Sequence, residues 1–271
     1  MPSTAQFPAT QSHTMISPGS AIAFDTDVDA DLDEDNGFFD AAGFAANALS
    51  DWRKLAAVID HTLLKPEATR TQVENLCDEA VRYRFACAMI NPVWVPAAVS
   101  MLSGTGVPVG VVIGFPLGAT LGSTLRHEAE ALVKLGAKEL DMVLSVGQLK
   151  SGEHAAVERT IRGVAQVAHH HGALLKVILE TCLLTVEEKL RASEIAIQAG
   201  TNFLKTSTGF SSGGATAADV ALLRGVAGAR CGVKASGGIR TLADAKTMLE
   251  AGACRIGASA SVAMVRELGA E

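Results

Sequence analysis

From residue 135 onward the chain repeats one event five times: a helical stretch stops at a glycine, and a short apolar run starts one to three residues later. The repeats read LGAKELDMVLS, HGALLKVILE, AGTNFLKTST, AGARCGVKAS and AGACRIGAS. Glycine tolerates the left-handed conformation that closes a helix, so each site marks a helix turning back into a strand. Repeated returns of this kind read as alternating β/α units.

Apolar runs place eight strands, at Ala57–Asp60, Phe85–Ile90, Val109–Phe115, Leu140–Ser145, Leu174–Glu180, Phe203–Thr206, Gly232–Ala235 and Arg255–Ala258. Amphipathic helices fall between them; STLRHEAEALVKLG sets Leu125, Ala129, Leu132 and Leu135 on one face. Only 4% of residues are aromatic, so Ala, Val, Ile and Leu must fill the core, as in buried parallel strands covered by helices. Eight such units in about 220 residues predict a (β/α)8 TIM barrel in the α/β class. A doubly wound sheet would advertise a glycine-rich loop after its first strand, and here that strand runs into DHTLLKP.

Two segments are expected: a disordered acidic extension over 1–40 and a barrel domain over 41–271 that opens with a short helix near Ala41–Leu55. Residues 1–50 hold eight acids and no Lys or Arg, a composition that buries too little apolar surface to order itself. The DxDxD spacing there has Asn36 where a calcium loop starting at Asp31 needs glycine, and Ala42 where it needs glutamate. The rest of the chain holds 21 acids against 23 basic residues, so no basic face points to nucleic acid. Five scattered cysteines without a CxxC pair read as reduced thiols. No apolar run reaches membrane-spanning length, and the N-terminus carries no basic leader. The expectation is a cytoplasmic protein with no membrane partner.

In a barrel, chemistry belongs at the C-terminal ends of the strands, where the sequence puts Asp60, Asn91, Asp141, Glu180, Lys205 and Lys234. Lys138, Glu139 and Arg255 fall at the opposite ends and call for no functional reading. Lys205 and Lys234 close neighbouring strands, and two ammonium groups side by side lower each other's pKa. A lysine so depressed can attack a carbonyl and form a Schiff base; the same pair could equally anchor a phosphate. Asp141 interrupts an apolar strand and could relay protons or simply pair with a lysine, and Asp60 carries the same two readings. Three glycine-rich turns, TGFSSGGAT, ASGGIRT and GAS, follow strands six to eight and open helices, an arrangement suited to phosphate. His169, His170 and His171 end a helix far from that rim. Cys87 and Cys182 read as packing residues, and Trp52 and Trp94 as covers of the barrel ends. No His/Cys/carboxylate set has metal spacing, so no metal is expected.

Six motifs in order, IDHTLLKP, GFPLGA, ELDMVLSVGQLKSG, KVILETCLLT, FLKTSTGF and GVKASGGIRT, resemble the deoxyribose-phosphate aldolase family over nearly everything after residue 50. The resemblance implies a class I lyase without a cofactor that cleaves 2-deoxy-D-ribose 5-phosphate to D-glyceraldehyde 3-phosphate and acetaldehyde. It assigns Lys205 as the Schiff-base nucleophile and Lys234 as the lysine that perturbs it. Asp141 becomes the proton relay through a water, Asp60 a supporting carboxylate, and Gly209, Gly237, Gly238, Gly257 and Ser259 the phosphate loops. Some relatives place a lysine where Phe210 stands, so phosphate binding here must lean on backbone amides. Some end in a tyrosine that reaches the site, whereas the only tyrosine here is Tyr83; Ser145 stands where relatives often have Asn. Relatives often form dimers, which makes a homodimer compatible with the resemblance. Three rivals share parts of the pattern: another lysine aldolase, a barrel that binds sugar phosphate without turnover, and a phosphosugar isomerase.

Overall fold

The structure is a computed structural model and describes residues 39–271; the expected extension lies outside the described residues except for Phe39 and Asp40. Eight parallel strands close into a barrel in chain order. They are β1 (Ile59–Leu63), β2 (Cys87–Ile90), β3 (Val109–Ile113), β4 (Glu139–Val143), β5 (Leu174–Ile178), β6 (Phe203–Lys205), β7 (Gly232–Ser236) and β8 (Arg255–Ala258). The predicted TIM barrel is therefore the fold. All five glycines that end the repeats adopt positive φ, from 52° at Gly228 to 109° at Gly252, the left-handed closure that their positions required.

The helix expected at Ala41–Leu55 is two helices, α1 (Ala41–Ala48) and α2 (Trp52–Ala56). The break follows from Asp51, whose carboxylate accepts from the Arg53 amide and starts the second helix. Asp40 caps α1 in the same way. Order begins before residue 41: Phe39 packs on Phe44 and lies under the Arg224 guanidinium. Strand β1 starts two residues later than expected because Ala57 and Val58 still bond back to α2. Strand β5 stops at Ile178, since Glu180 is left-handed at φ 56° and cannot continue a strand.

The outer layer comprises α3 (Arg70–Tyr83), α4 (Val95–Leu102), α5 (Gly122–Lys134), α6 (Val146–Lys150), α7 (His154–His170), α8 (Val186–Gln198), α9 (Ala217–Ala227), α10 (Leu242–Glu250) and α11 (Ser261–Glu267). Capping boxes at Thr69, Thr185 and Thr241 start α3, α8 and α10. Leu125, Ala129 and Leu132 of α5 are buried as the periodicity predicts, while Leu135 remains exposed. His169 binds the side chain of Asn202, which also accepts from the Leu175 amide, so the histidine run ties α7 to the strands that follow it. Tyr83 accepts from Arg266 and donates to the Glu271 carbonyl, fixing the C-terminal segment beside α3. Trp52 packs edge-on against the same tyrosine.

Candidate active site

Parallel strands with helices outside leave one place for a charged side chain in mid-strand, the barrel axis. The interior divides accordingly. One side is apolar, formed by Leu64, Cys87, Met89 and Val112; the other is filled by charge.

Register brings the charged residues together. Lys205 sits beside Lys234 across β6 and β7, and Asp141 beside Lys176 across β4 and β5. The Lys205 Nζ lies 2.7 Å from Asp141 Oδ2, and the Lys234 Nζ lies 2.7 Å from the same oxygen. Lys234 also reaches Asp60 Oδ2 at 2.5 Å. The other Asp141 oxygen accepts from Lys176 at 2.9 Å. All four residues predicted at the catalytic centre therefore belong to one buried constellation. Asp60 and Asp141 lie within their strands, one layer below the rim where the sequence placed them.

Three further residues complete the constellation, and sequence reasoning gave none of them a role. Lys176, fully buried, binds Glu139 as well as Asp141 and stands 3.5 Å from Asp60. Arg255 donates to Asp60 Oδ1 at 2.8 Å and stands 3.6 Å from Glu139. Glu139 and Arg255 do begin their strands, but their side chains run inward, which corrects the reading of that end as inert. Glu180, which the sequence placed at the same strand ends, is taken up by Thr208, whose hydroxyl and amide both donate to it.

The electrostatics follow from the pairing. Three carboxylates (Asp60, Glu139 and Asp141) face four cations (Lys176, Lys205, Lys234 and Arg255), so one positive charge is in excess. Burial pushes Lys205 down to about 8; Asp141 opposes the shift, while Lys234 and Lys176 add to it. The expected influence of Lys234 on Lys205 is present, but desolvation is the larger cause. Burial also works against the Lys176 ammonium, yet Asp141, Asp60 and Glu139 hold it well above the usual lysine range. The same cations hold Asp60 and Asp141 well below the usual carboxylate range, against burial. Lys205 has one carboxylate partner, whereas Lys234 has two and Lys176 has three. With a pKa of about 8, roughly one Lys205 in ten is a neutral amine at pH 7, against about one in 3,000 for an ordinary lysine.

Asp60, Cys87 and Glu139 bring potential ligand atoms within 4.8 Å of one another. Lys176 and Arg255 already satisfy the carboxylates, and burial raises the Cys87 thiol well above its ordinary range. This donor set does not suit a metal ion.

Above the charges, the loops after β6 and β7 meet through glycine backbones. Ala215 donates to the Gly237 carbonyl at 2.9 Å, and a Cβ on Gly214 would lie 2.2 Å from that oxygen. Gly209, Gly237 and Gly238 all have positive φ, between 82° and 86°. Ser259 is exposed between β8 and α11. Gly257 lies lower, in the barrel wall, where a Cβ would come within 3.0 Å of the Lys234 side chain; its glycine makes room for that lysine. Beside these loops a cavity of about 100 Å³ is walled by Pro116, Leu117, Leu183 and Phe210, with Glu180, Thr208 and Ser211 as its polar members. Phe210 stacks edge-on against Phe115, 5.2 Å between centroids.

Known proteins resemble this chain in sequence and in fold. The sequence profile of the DeoC/LacD family aldolases matches residues 54–265. A deoxyribose-phosphate aldolase of Bacillus cytotoxicus is 54% identical over 211 residues, which is 78% of this chain and 94% of the relative. One from Thermoanaerobacter sp. is also 54% identical, over 214 residues, covering 79% and 96%. The solved deoxyribose phosphate aldolase of Aeropyrum pernix, described as a unique tetramer, superposes with a TM-score of 0.78 at 36% identity, covering 84% of this chain and 96% of its own. With its profile matched across the barrel, and with curated relatives more than half identical over most of its length, this chain belongs to the DeoC/LacD family of aldolases, enzymes that make and break carbon–carbon bonds.

Proposed function

We propose that the enzyme is a 2-deoxy-D-ribose 5-phosphate aldolase working through a Schiff base on Lys205. The supporting observation is the placement of Lys205: buried at the rim, bonded to a single carboxylate, and brought down to about 8. Its neutral amine attacks the C1 aldehyde of the open-chain sugar, and loss of water leaves an iminium ion. A base takes the proton from the C3 hydroxyl, and the C2–C3 bond breaks to release D-glyceraldehyde 3-phosphate. The bonding pair moves to C2 and on to the iminium nitrogen as an enamine. Protonation at C2 and hydrolysis then return Lys205 and free acetaldehyde. The imine itself is the electron sink, so the chemistry calls for no cofactor.

Asp141 is held too acidic to be a strong base. In this reading it fixes the two lysines and passes protons through a water to and from the Lys234 ammonium. Asp60 supports Lys234 from behind. The phosphate would lie against the loop amides around Gly209, Gly237 and Gly238 and near Ser259, since Phe210 offers no charge. Gly257 contributes there through the room that it leaves Lys234. A deoxyribose 5-phosphate lyase would serve deoxynucleotide catabolism in the cytoplasm, and a homodimer is compatible with this role. Among the described residues no helix is long and apolar enough to cross a membrane.

Reductive trapping tests the reading. The protein is incubated with 2-deoxyribose 5-phosphate or acetaldehyde, borohydride is added, and the modified peptide is mapped by mass spectrometry. An adduct on the peptide holding Lys205, absent from Lys205→Ala, is expected. Binding of the sugar phosphate without any adduct would instead make the barrel a non-catalytic receptor.

A further inference from the structure

Lys176 is the largest charged investment in the barrel that the mechanism above does not use. It comes from β5, is fully buried, and meets all three interior carboxylates. An ammonium in a dry interior is rarely retained for stability alone, since well-packed apolar residues do as well or better. Its neighbours explain what it could do. Asp141 must remain a carboxylate for Lys205 and Lys234, yet a carboxylate with those two as its only cations would hold their protons tightly. Lys176 occupies Asp141 Oδ1 from below and leaves only Oδ2 for Lys205 and Lys234.

We propose that Lys176 is a positioning residue for the aldol chemistry: by neutralising Asp60, Glu139 and Asp141 from beneath, it supplies the cation that makes the proton on Lys205 dispensable. The inference rests on the reading of Lys205 as the nucleophile. The groups facing one another here are Asp60 from β1, Cys87 from β2, Glu139 and Asp141 from β4, Lys176 from β5, Lys234 from β7 and Arg255 from β8. β3 brings Val112 and no charge. With Lys176 present, Lys234 and Arg255 complete the balance of three against three, and Lys205 is the surplus cation. Without Lys176, the ammonium of Lys205 is needed to balance the carboxylates. The like-charge repulsion that Lys176 exerts on Lys205 disappears as well.

The test is the pH dependence of the trapping rate at Lys205, with acetaldehyde as the probe and the full chain throughout. Wild type should show a midpoint near pH 8. Lys176→Met should move it upward by about one unit or more, with about a tenfold loss of trapping rate at pH 7. The double variant Lys176→Met/Glu139→Gln, which again balances two carboxylates against Lys234 and Arg255, should recover the rate to within about threefold. A purely structural lysine would show no such recovery. If Lys176→Met does not fold, Glu139→Gln alone should move the midpoint downward; an unmoved or higher midpoint overturns the proposal. So does an unshifted profile in Lys176→Met. Absence of any wild-type adduct would instead overturn the role of Lys205, and the proposal with it.

Discussion

Replacing Lys205 by methionine offers a test that needs no substrate. In the folded protein Lys205 sits near 8 and in the unfolded chain near 10.5. Between those values the unfolded state holds a proton that the native state has released, so native stability rises with pH. The full shift of about 2.5 units corresponds to about 3 kcal/mol, and the part falling between pH 7 and 9.5 to about 2 kcal/mol. Lys176 adds no slope in that window, because its native pKa lies well above the ordinary value and it stays protonated in both states. Urea unfolding of wild type and Lys205→Met at the two pH values isolates the effect. The stability of wild type relative to the variant should increase by about 2 kcal/mol on going to pH 9.5, or about 0.7 M in midpoint at an m-value near 3 kcal/mol/M. A constant difference would show that Lys205 titrates like a surface lysine, and the poised amine would have to be abandoned.

Two further outcomes follow from the site. Asp141→Asn strips the shared carboxylate from three lysines; it should lower turnover at least a hundredfold and cost about 3–5 kcal/mol in denaturant unfolding, as for a broken buried pair. Gly214→Ala drives a methyl group into the Gly237 carbonyl, so steady-state kinetics should show KM rising for 2-deoxyribose 5-phosphate much more than for unphosphorylated deoxyribose, with a stability loss of about 1–3 kcal/mol.

The barrel could be read from its punctuation, because a glycine cap leaves a local and unmistakable mark. The pairing of Lys205 with Lys234 on adjacent parallel strands was equally legible, although only Lys205 ends its strand and Lys234 sits in the middle of β7. The inner residues were harder. Strands buried on both faces show no alternation to tell inside from outside, so Lys176, in the middle of LLKVIL, carried no directional signal. Two clues were nevertheless present. Glu139 and Asp141 are two residues apart in β4 and must share a face, which already places Glu139 inside. A lysine amid apolar neighbours under a helical layer can satisfy its charge only on the axis. Strand ends were misplaced where a turn intervened, at Ala57 and Val58 before β1 and at Glu180 after β5, because apolar composition does not reveal where φ changes sign.

The interior charges are largely withdrawn from the medium, and this bears on how the enzyme can be modified. Mobile ions screen exposed charges over about 10 Å at 0.1 M salt but barely reach buried pairs. The nucleophile should therefore keep the same poise in dilute buffer and in brine. Recolouring the outer surface with acids or bases, the usual route to better solubility, should leave its reactivity alone. Retuning the amine means editing the handful of side chains on the barrel axis.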